Sequence, residues 1–213
     1  MIQSSLKEKS DLHIARKLWH CVTIGGVAAV YSLLGTKVSW IGSLAFGAVF
    51  ITIDLLRQSH PRLNRFTIRV LGPVMRQHEV KSLSGATYFL LACYLLLLFN
   101  ERHVVTLTLL FLAFGDPVAS YFGIRFGKDK ILGHKTLQGT LAAFAVCTII
   151  SLIYYYFNNL MTERLLIVAP LSGLIGAAAE LLPIGKLDDN FTFPVVGAAL
   201  LWMLFKVYGG FGL

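Results

Sequence analysis

The sequence predicts an all-α polytopic integral membrane protein, a helical bundle of about seven transmembrane helices. Of its 213 residues, 56% are hydrophobic and only 14% are charged, whereas soluble domains carry about 25% charged residues. The mean hydropathy is +0.69. Several apolar runs are long enough to cross the ~30 Å hydrocarbon core of a bilayer as helices, and they lack the alternating pattern of outer-membrane strands.

The predicted spans share one domain, residues 1–213. They are 18–34, 39–57, 84–99, 104–123, 138–157, 163–182 and 191–208. The polar start of the chain lacks the apolar stretch of a cleaved leader, so the first span is expected to act as the insertion signal. The longest linker, 58–82, mixes arginines with Leu, Phe, Ile and Val. This mixture is typical of an interfacial helix that either anchors the chain or covers an active site.

The distribution of basic residues predicts the orientation. Fifteen of the 19 Lys and Arg residues fall in the N-terminal segment and in every second linker, and four fall on the other side. The positive-inside rule then places the N-terminus in the cytoplasm and the C-terminus outside. The same rule accounts for the net charge of +8, so we expect no nucleic-acid partner. The plasma membrane and the endoplasmic reticulum both remain open.

Acidic residues inside the predicted spans indicate a functional cavity. The fourth, fifth and sixth spans each place small residues on one helical face. These faces consist of Asp116, Ser120, Gly123 and Gly127; of Thr136, Gly139, Thr140 and Ala143; and of Gly173, Gly176, Ala177 and Glu180. Small residues alone favour close helix packing, but carboxylates are costly in a membrane and are functional candidates by default. Asp116 and Glu180 therefore predict a shared polar cavity on the cytoplasmic side.

The linker GKDKILGHKT, between the fourth and fifth spans, is typical of a phosphate-binding loop. Lys128, Lys135 and the start of the next helix at Thr136 suit an anion. Nearby carboxylates, including Asp188 and Asp189 from a linker on the same side, suit Mg²⁺. The loop is not a Walker P-loop, because its Gly-Lys pair is followed by aspartate rather than Ser or Thr. The residues therefore predict a magnesium–nucleotide site.

Two blocks around this loop have a distinctive spacing. They comprise Asp116, Ala119, Ser120, Gly123, Gly127 and Lys128, and then Lys135, Thr136, Gln138, Gly139 and Thr140. This spacing resembles the nucleotide-binding signature of the polyprenol kinase family, which includes dolichol kinase, phytol kinase and the CTP-dependent diacylglycerol kinase of fungi. Gln138 departs from the family, which commonly has glutamate there.

The resemblance extends over most of the chain, from about Arg16 to Pro194. Further matches are Arg16-Lys17-x-x-His20, Asp54-x-x-Arg57, Ser84-Gly85-Ala86-Thr87 and Asp188-Asp189-Asn190. The linker from Asn64 to Glu79 looks closest to the diacylglycerol kinase branch. The resemblance implies transfer of a nucleotide γ-phosphate, with CTP as the usual donor, to the hydroxyl of a lipid alcohol such as diacylglycerol, dolichol or phytol.

The candidate site residues fall into four sets. The nucleotide set is Asp116, Ser120, Gly123, Gly127, Lys128, Lys135, Thr136, Gly139 and Thr140. The catalytic carboxylates are Asp116, Glu180, Asp188 and Asp189. The Mg²⁺ candidates are Asp116, Asp188 and Asp189. The last set, for the lipid or for topology and structure, is Arg16, Lys17, His20, Asp54, Arg57 and Arg76. Either Asp116 or Glu180 is a candidate to accept the proton of the lipid hydroxyl.

Two other functions stay open from the residues alone. A CTP:lipid-phosphate cytidylyltransferase also binds CTP among membrane helices. A small ion-coupled transporter would use Asp116 and Glu180 as ion ligands, although the charged groups cluster at one end of the predicted bundle. A CDP-alcohol phosphotransferase is disfavoured, because its D-x2-D-G-x2-A-R core is absent from the sequence. The sequence sets no oligomeric state.

Overall fold

The computed structural model describes residues 13–182, 184–185 and 187–211. Within them the chain is almost entirely helical, which confirms the predicted fold class. The α-helices are α1 (Ile14–Ser59), α2 (Pro61–Leu71), α3 (Gly85–Phe99), α4 (Arg102–Leu110), α5 (Asp116–Phe126), α6 (Leu137–Phe157), α7 (Leu165–Leu181) and α8 (Asp189–Tyr208). A π-helical segment, Phe111–Gly115, joins α4 to α5, and 3-10 turns occupy Gly72–Val74, Gln77–Val80 and Thr162–Arg164.

Five helical stretches within the described residues are long and apolar enough to cross a membrane. They are Ile14–Leu34, Arg102–Phe126, Leu137–Phe157, Thr162–Leu181 and Asp189–Tyr208, with Gly85–Phe99 as a shorter apolar helix. The ends of the last four long stretches and of the shorter helix lie within a few residues of the ends of predicted spans. The region of the first two predicted spans differs. The protein is therefore an integral membrane protein, and the count of seven spans stays a prediction.

The first two predicted spans lie in one helical run, α1, where the sequence predicts a break. The stretch between them contains no proline, and its backbone is helical. Arg16 nevertheless bonds Glu79, while Asp54 accepts a hydrogen bond from Ser84. A straight helix would separate Arg16 from Asp54 by about 57 Å, at 1.5 Å per residue. The run must therefore bend back, so that its first and last parts flank the same segment, as two successive spans would.

A buried ion pair at the end of α1 fastens the linker after it. Arg57 is 1% exposed and Asp54 is 3% exposed, and Arg57 Nε lies 2.6 Å from Asp54 Oδ1. Arg57 also donates to the carbonyl oxygens of Glu79 and Ser82, at 2.9 and 2.8 Å. Asp54 Oδ2 accepts from Thr87 Oγ1 at 2.5 Å. These bonds hold the linker of α2 and its 3-10 turns against the start of α3.

Arg57→Met is expected to lower the stability of the folded protein by about 3–5 kcal/mol, because it leaves the carboxylate of Asp54 buried without its countercharge. The measurement is thermal unfolding in detergent. The matched control is Arg62→Met on the exposed side of α2, which should change stability by no more than about 0.5 kcal/mol. Equal melting temperatures for the two variants would show that the pair does not hold the linker.

The π-helical segment ends directly before Asp116, and Pro117 is the residue after Asp116. In π-helical register the carbonyl of residue 112 would pair with the N–H of residue 117, but proline has none. The Leu112 carbonyl instead lies 3.0 Å from Nε2 of His20. A carbonyl oxygen can only accept, so this nitrogen carries the proton in that bond. The irregular turn therefore fixes α1 against the helix that carries Asp116.

Candidate active site

A polar pocket of about 480 Å³ lies among α1, α5, α6, α7 and α8, at the end of the bundle where the loop between α5 and α6 lies. It brings together most of the residues predicted from the sequence. These are Arg16, Lys17, His20, Arg76, Asp116, Ser120, Gly123, Gly127, Lys135, Thr136, Gly139, Thr140, Glu180 and Asp189. The remaining candidates, Asp54, Arg57, Lys128 and Asp188, do not line this pocket. The polar cavity expected from Asp116 and Glu180 is thus present.

Close contact between α5 and α6 forms the floor of the polar pocket. A Cβ added to Gly139 would lie 2.7 Å from the Ala119 carbonyl oxygen and 3.3 Å from the Gly123 Cα. Only hydrogen fits there, so the small faces predicted for these helices pack against each other. Thr136 caps α6, because its Oγ1 accepts from the Gly139 N–H at 3.3 Å. The floor thereby includes a helix N-terminus, which favours an anion.

Gly139→Ala is expected to lower kcat/KM by about tenfold or more, because the added methyl group pushes α6 away from α5 and misplaces the pocket floor. The measurement is the phosphoryl transfer from CTP that the family resemblance implies, followed at several nucleotide concentrations. Gly197→Ala in α8 is the matched control, since a Cβ there meets only ordinary contacts at 3.6 and 3.8 Å. Unchanged kinetics for Gly139→Ala would contradict this role of the helix contact.

Lys135 is the central cation of the polar pocket. Its Nζ lies 2.5 Å from Glu180 Oε1 and 3.9 Å from Asp189 Oδ2. Burial alone would lower the pKa of Lys135, but the carboxylates of Glu180, Asp116 and Asp189 outweigh it and raise the pKa above its usual value. The ammonium group therefore stays charged at neutral pH. Glu180 is buried, and its Oε2 has no hydrogen-bond partner among the described residues, which leaves an acceptor available.

The opposite wall comes from α1 and α5. Lys17 Nζ donates to Ser120 Oγ, and His20 Nε2 lies 3.9 Å from Asp116 Oδ2. The Asp116 side chain is 26% exposed, so its carboxylate is accessible from the pocket. The wall combines one open carboxylate with a lysine, in a region that is partly buried. A polyanion such as a nucleotide phosphate would meet cations on both sides of it.

Arg16 is held by Glu79, which the sequence did not single out as a site residue. Two bonds of 3.0 and 2.8 Å join the guanidinium to the carboxylate, and Arg16 also donates to the Val74 carbonyl oxygen at 2.8 Å. Burial alone would raise the pKa of Glu79, but bonds from Arg16 and from the Arg76 and Gly85 N–H groups lower it. The pair is therefore ionised and orients Arg16 beside the pocket.

The predicted phosphate loop contains a short β-hairpin, β1 (Lys130–Leu132) with β2 (Lys135–Thr136), which the all-helical prediction lacks. Gly133 allows its turn with a φ of +54°. Gln138 fastens the hairpin: its Oε1 accepts from the Lys128 N–H at 3.1 Å, and its Nε2 donates to Asp129 Oδ2 at 2.7 Å. A glutamate could not donate to that carboxylate. The departure from the family pattern therefore has a structural role.

Two of the predicted site residues lie outside the polar pocket in which their predicted roles would place them. Lys128 is exposed and lies outside the polar pocket, whereas Lys130 and His134 line it. Asp188 caps α8, since its Oδ1 accepts from the N–H and side-chain amide of Asn190 at 2.9 and 2.7 Å. An aspartate just before a helix is a capping signal that the sequence already offers. The nucleotide role of Lys128 and the metal role of Asp188 stay predictions.

The fold and the pocket together define a class of protein. Lysines, open carboxylates and a helix N-terminus meet at one end of a membrane-embedded bundle, which suits an enzyme that handles phosphate groups at the edge of a bilayer. No protein-family model matches the chain, and no solved structure matches it significantly.

The sequence is similar to those of several characterised proteins. CTP-dependent diacylglycerol kinase 1 of Schizosaccharomyces pombe is 32% identical over 165 residues, which is 72% of this chain and 75% of that protein. CTP-dependent diacylglycerol kinase 1 of Saccharomyces cerevisiae is 28% identical over 92% of the chain and 74% of that protein. Dolichol kinase of Saccharomyces cerevisiae is 28% identical over 88% of the chain, but only 36% of that protein is covered. The chain belongs to the polyprenol kinase family.

Proposed function

We propose that this protein transfers the γ-phosphate of CTP to the hydroxyl group of a lipid alcohol, with diacylglycerol as the favoured acceptor. The observation that carries the proposal is the polar pocket, where Lys135, Asp116 and the N-terminus of α6 meet within a membrane protein. The choice of CTP and of diacylglycerol follows from the names of the relatives. The relative named dolichol kinase keeps a long-chain polyprenol as the second acceptor.

Phosphoryl transfer needs mainly positioning and neutralisation of charge. Lys135 and the first turn of α6 are placed to receive the phosphates of the donor, and Lys17 lies on the opposite wall. The lipid hydroxyl oxygen attacks the γ-phosphorus, the bond from that phosphorus to the β–γ bridging oxygen breaks, and CDP leaves. Asp116 is the accessible carboxylate for the hydroxyl proton, because His20 Nε2 already donates to Leu112.

We propose that a magnesium ion binds in the polar pocket together with the donor phosphates, because the described residues contain no group of three or more acidic, His or Cys side chains that could hold a metal without them. Mg²⁺ is held by one or two carboxylates together with substrate phosphates, and Asp116 and Asp189 both line the pocket. Glu180 Oε2, which has no hydrogen-bond partner in the part of the chain that the structure describes, adds a further oxygen. When bound, the ion would neutralise charge on the transferred phosphate. We expect EDTA to abolish transfer and Mg²⁺ to restore it; full activity in excess chelator would contradict the metal assignment.

We also propose that the polar pocket faces the cytoplasm. The support is the excess of basic residues in the segments at that end of the bundle and the positive-inside rule. Family membership disfavours the transporter and the cytidylyltransferase, since the relatives described above are named as kinases.

The test uses purified protein in detergent with Mg²⁺ and a pool of diacylglycerol, polyprenols and lipid phosphates. Parallel reactions contain γ-labelled CTP, α-labelled CTP or γ-labelled ATP. We expect label in lipid from γ-labelled CTP, and chromatography of the product identifies the acceptor. Label from α-labelled CTP alone would instead establish a cytidylyltransferase. Label from ATP alone would overturn the choice of donor.

A further inference from the structure

A second, larger cavity lies beside the polar pocket. It has a volume of about 940 Å³, and its walls come from both parts of α1 and from α2, α3 and α4. Tyr31, Phe46, Phe66, Phe89 and Leu109 are among the side chains that line it. This apolar cavity is at the upper end of the size range of small-molecule sites, and it exists because α1 bends back on itself.

The two cavities meet at three shared residues. Arg16, His20 and Asn190 line both the polar pocket and the apolar cavity. We call these three residues the seam. A molecule in the apolar cavity with a polar end at the seam would reach the polar pocket without leaving the protein. The seam also lies next to Asp116, since His20 Nε2 is 3.9 Å from its carboxylate.

The charges around the apolar cavity cancel. Apart from the seam histidine, the charged residues among those that line it are Arg16, Asp54, Arg57 and Glu79. They form two ion pairs, Arg16 with Glu79 and Arg57 with Asp54. Each cation already has its counterion, so the cavity offers no spare charge to a phospholipid headgroup. A neutral headgroup that carries only hydroxyl groups suits such a rim better than a charged one.

We propose that the apolar cavity is the acceptor site: it holds the hydrocarbon chains of a neutral lipid alcohol and presents the hydroxyl group at the seam to the γ-phosphate in the polar pocket. This inference rests on the proposed function. It adds the place of the lipid and the selection for a neutral headgroup.

Two glycines allow a direct test. Gly26 and Gly42 line the apolar cavity from the two parts of α1, and a Cβ at either position meets nothing within 4 Å. Gly26→Phe and Gly42→Phe therefore add a ring to the lining of the cavity without a backbone clash. We expect each variant to raise KM for long-chain diacylglycerol roughly tenfold, through lost apolar contact, and to shift the preference toward shorter chains. KM for CTP should stay unchanged, which also shows that the variant is folded.

The matched control is Val22→Phe, since Val22 is 71% exposed and does not line the apolar cavity. It should behave as the unchanged protein does. If both glycine variants keep the acceptor KM and chain preference of the control while activity is normal, the acceptor site lies elsewhere and the inference is overturned, although the proposed function stands.

A binding measurement distinguishes failure of the acceptor-site inference from failure of the proposed function. Diacylglycerol with a photoreactive diazirine in its chain should label peptides of α1 and α3 in the unchanged protein, and Gly26→Phe should reduce that labelling. Excess diacylglycerol should compete, and phosphatidylcholine should compete poorly. Equal competition by phosphatidylcholine would identify the occupant as a structural lipid and overturn the inference. Labelling at the cavity without transfer from any donor would overturn the proposed function and, with it, the acceptor role.

Discussion

Asp116→Asn is expected to reduce kcat at least about 100-fold, the lower range for loss of a proton-transferring group. Asp116 begins α5 immediately after the π-helical segment, and its carboxylate lines the polar pocket beside the seam. Whether it takes the proton of the hydroxyl group or ligates Mg²⁺, it acts through its negative charge, and asparagine removes that charge with almost no change in shape. The measurement is steady-state transfer from γ-labelled CTP to diacylglycerol.

The control for this variant is Glu163→Gln, an equally conservative change on an exposed residue of the 3-10 turn between α6 and α7. Its kinetics should match those of the unchanged protein. Asp188→Asn is a useful third arm, because asparagine caps a helix about as well as aspartate. Loss of activity there would support the predicted metal role of Asp188. Near-normal activity of Asp116→Asn would remove Asp116 from the chemistry.

Lys135→Met is expected to lower stability by about 3 kcal/mol, because it leaves the buried Glu180 without its countercharge. We use the low end of the range for a broken buried pair, since the Lys135 side chain is 24% exposed. Adding Glu180→Gln to the same chain removes the uncompensated negative charge of Glu180. The double variant should therefore recover most of the melting temperature in detergent.

Activity separates the two roles of Lys135. If Lys135 binds the phosphates of the donor, the double variant is folded but its kcat/KM for CTP stays at least about tenfold below that of Glu180→Gln alone, one charge-assisted bond being worth about 1.5–3 kcal/mol. If Lys135 only neutralises Glu180, the double variant is as active as Glu180→Gln alone. That second result would contradict the phosphate role and leave α6 and Lys17 as the anion-binding groups.

Hydropathy predicts the membrane helices well. The predicted spans 84–99, 138–157 and 191–208 correspond to α3, α6 and α8, whose ends differ by at most two residues. Helix periodicity also predicts the small faces of α5 and α6, which contact each other through Gly139. These features depend on local pattern alone, so one sequence contains enough information to find them.

Features that depend on distant partners could not be predicted in the same way. Arg16 and Glu79 are 63 positions apart, and no local pattern pairs them. The sequence predicts a break between residues 34 and 39, and the contacts of Arg16 and Asp54 require the chain to turn back there, but the pattern does not show that the backbone stays helical through the bend. Pro117 is a visible local signal beside the π-helical segment, but the bond between His20 and the Leu112 carbonyl depends on the neighbouring helix α1.

The location of the donor nucleotide is the central claim, and photoaffinity labelling tests it most directly. A photoreactive CTP analogue is irradiated with the purified protein, with and without excess CTP, and the labelled peptides are identified by mass spectrometry. We predict label between Gly127 and Thr140, suppressed by CTP and weakened in the Lys135→Met/Glu180→Gln variant. Label confined to the opposite end of the bundle, around Asn158–Arg164, would contradict the assignment of the polar pocket as the nucleotide site.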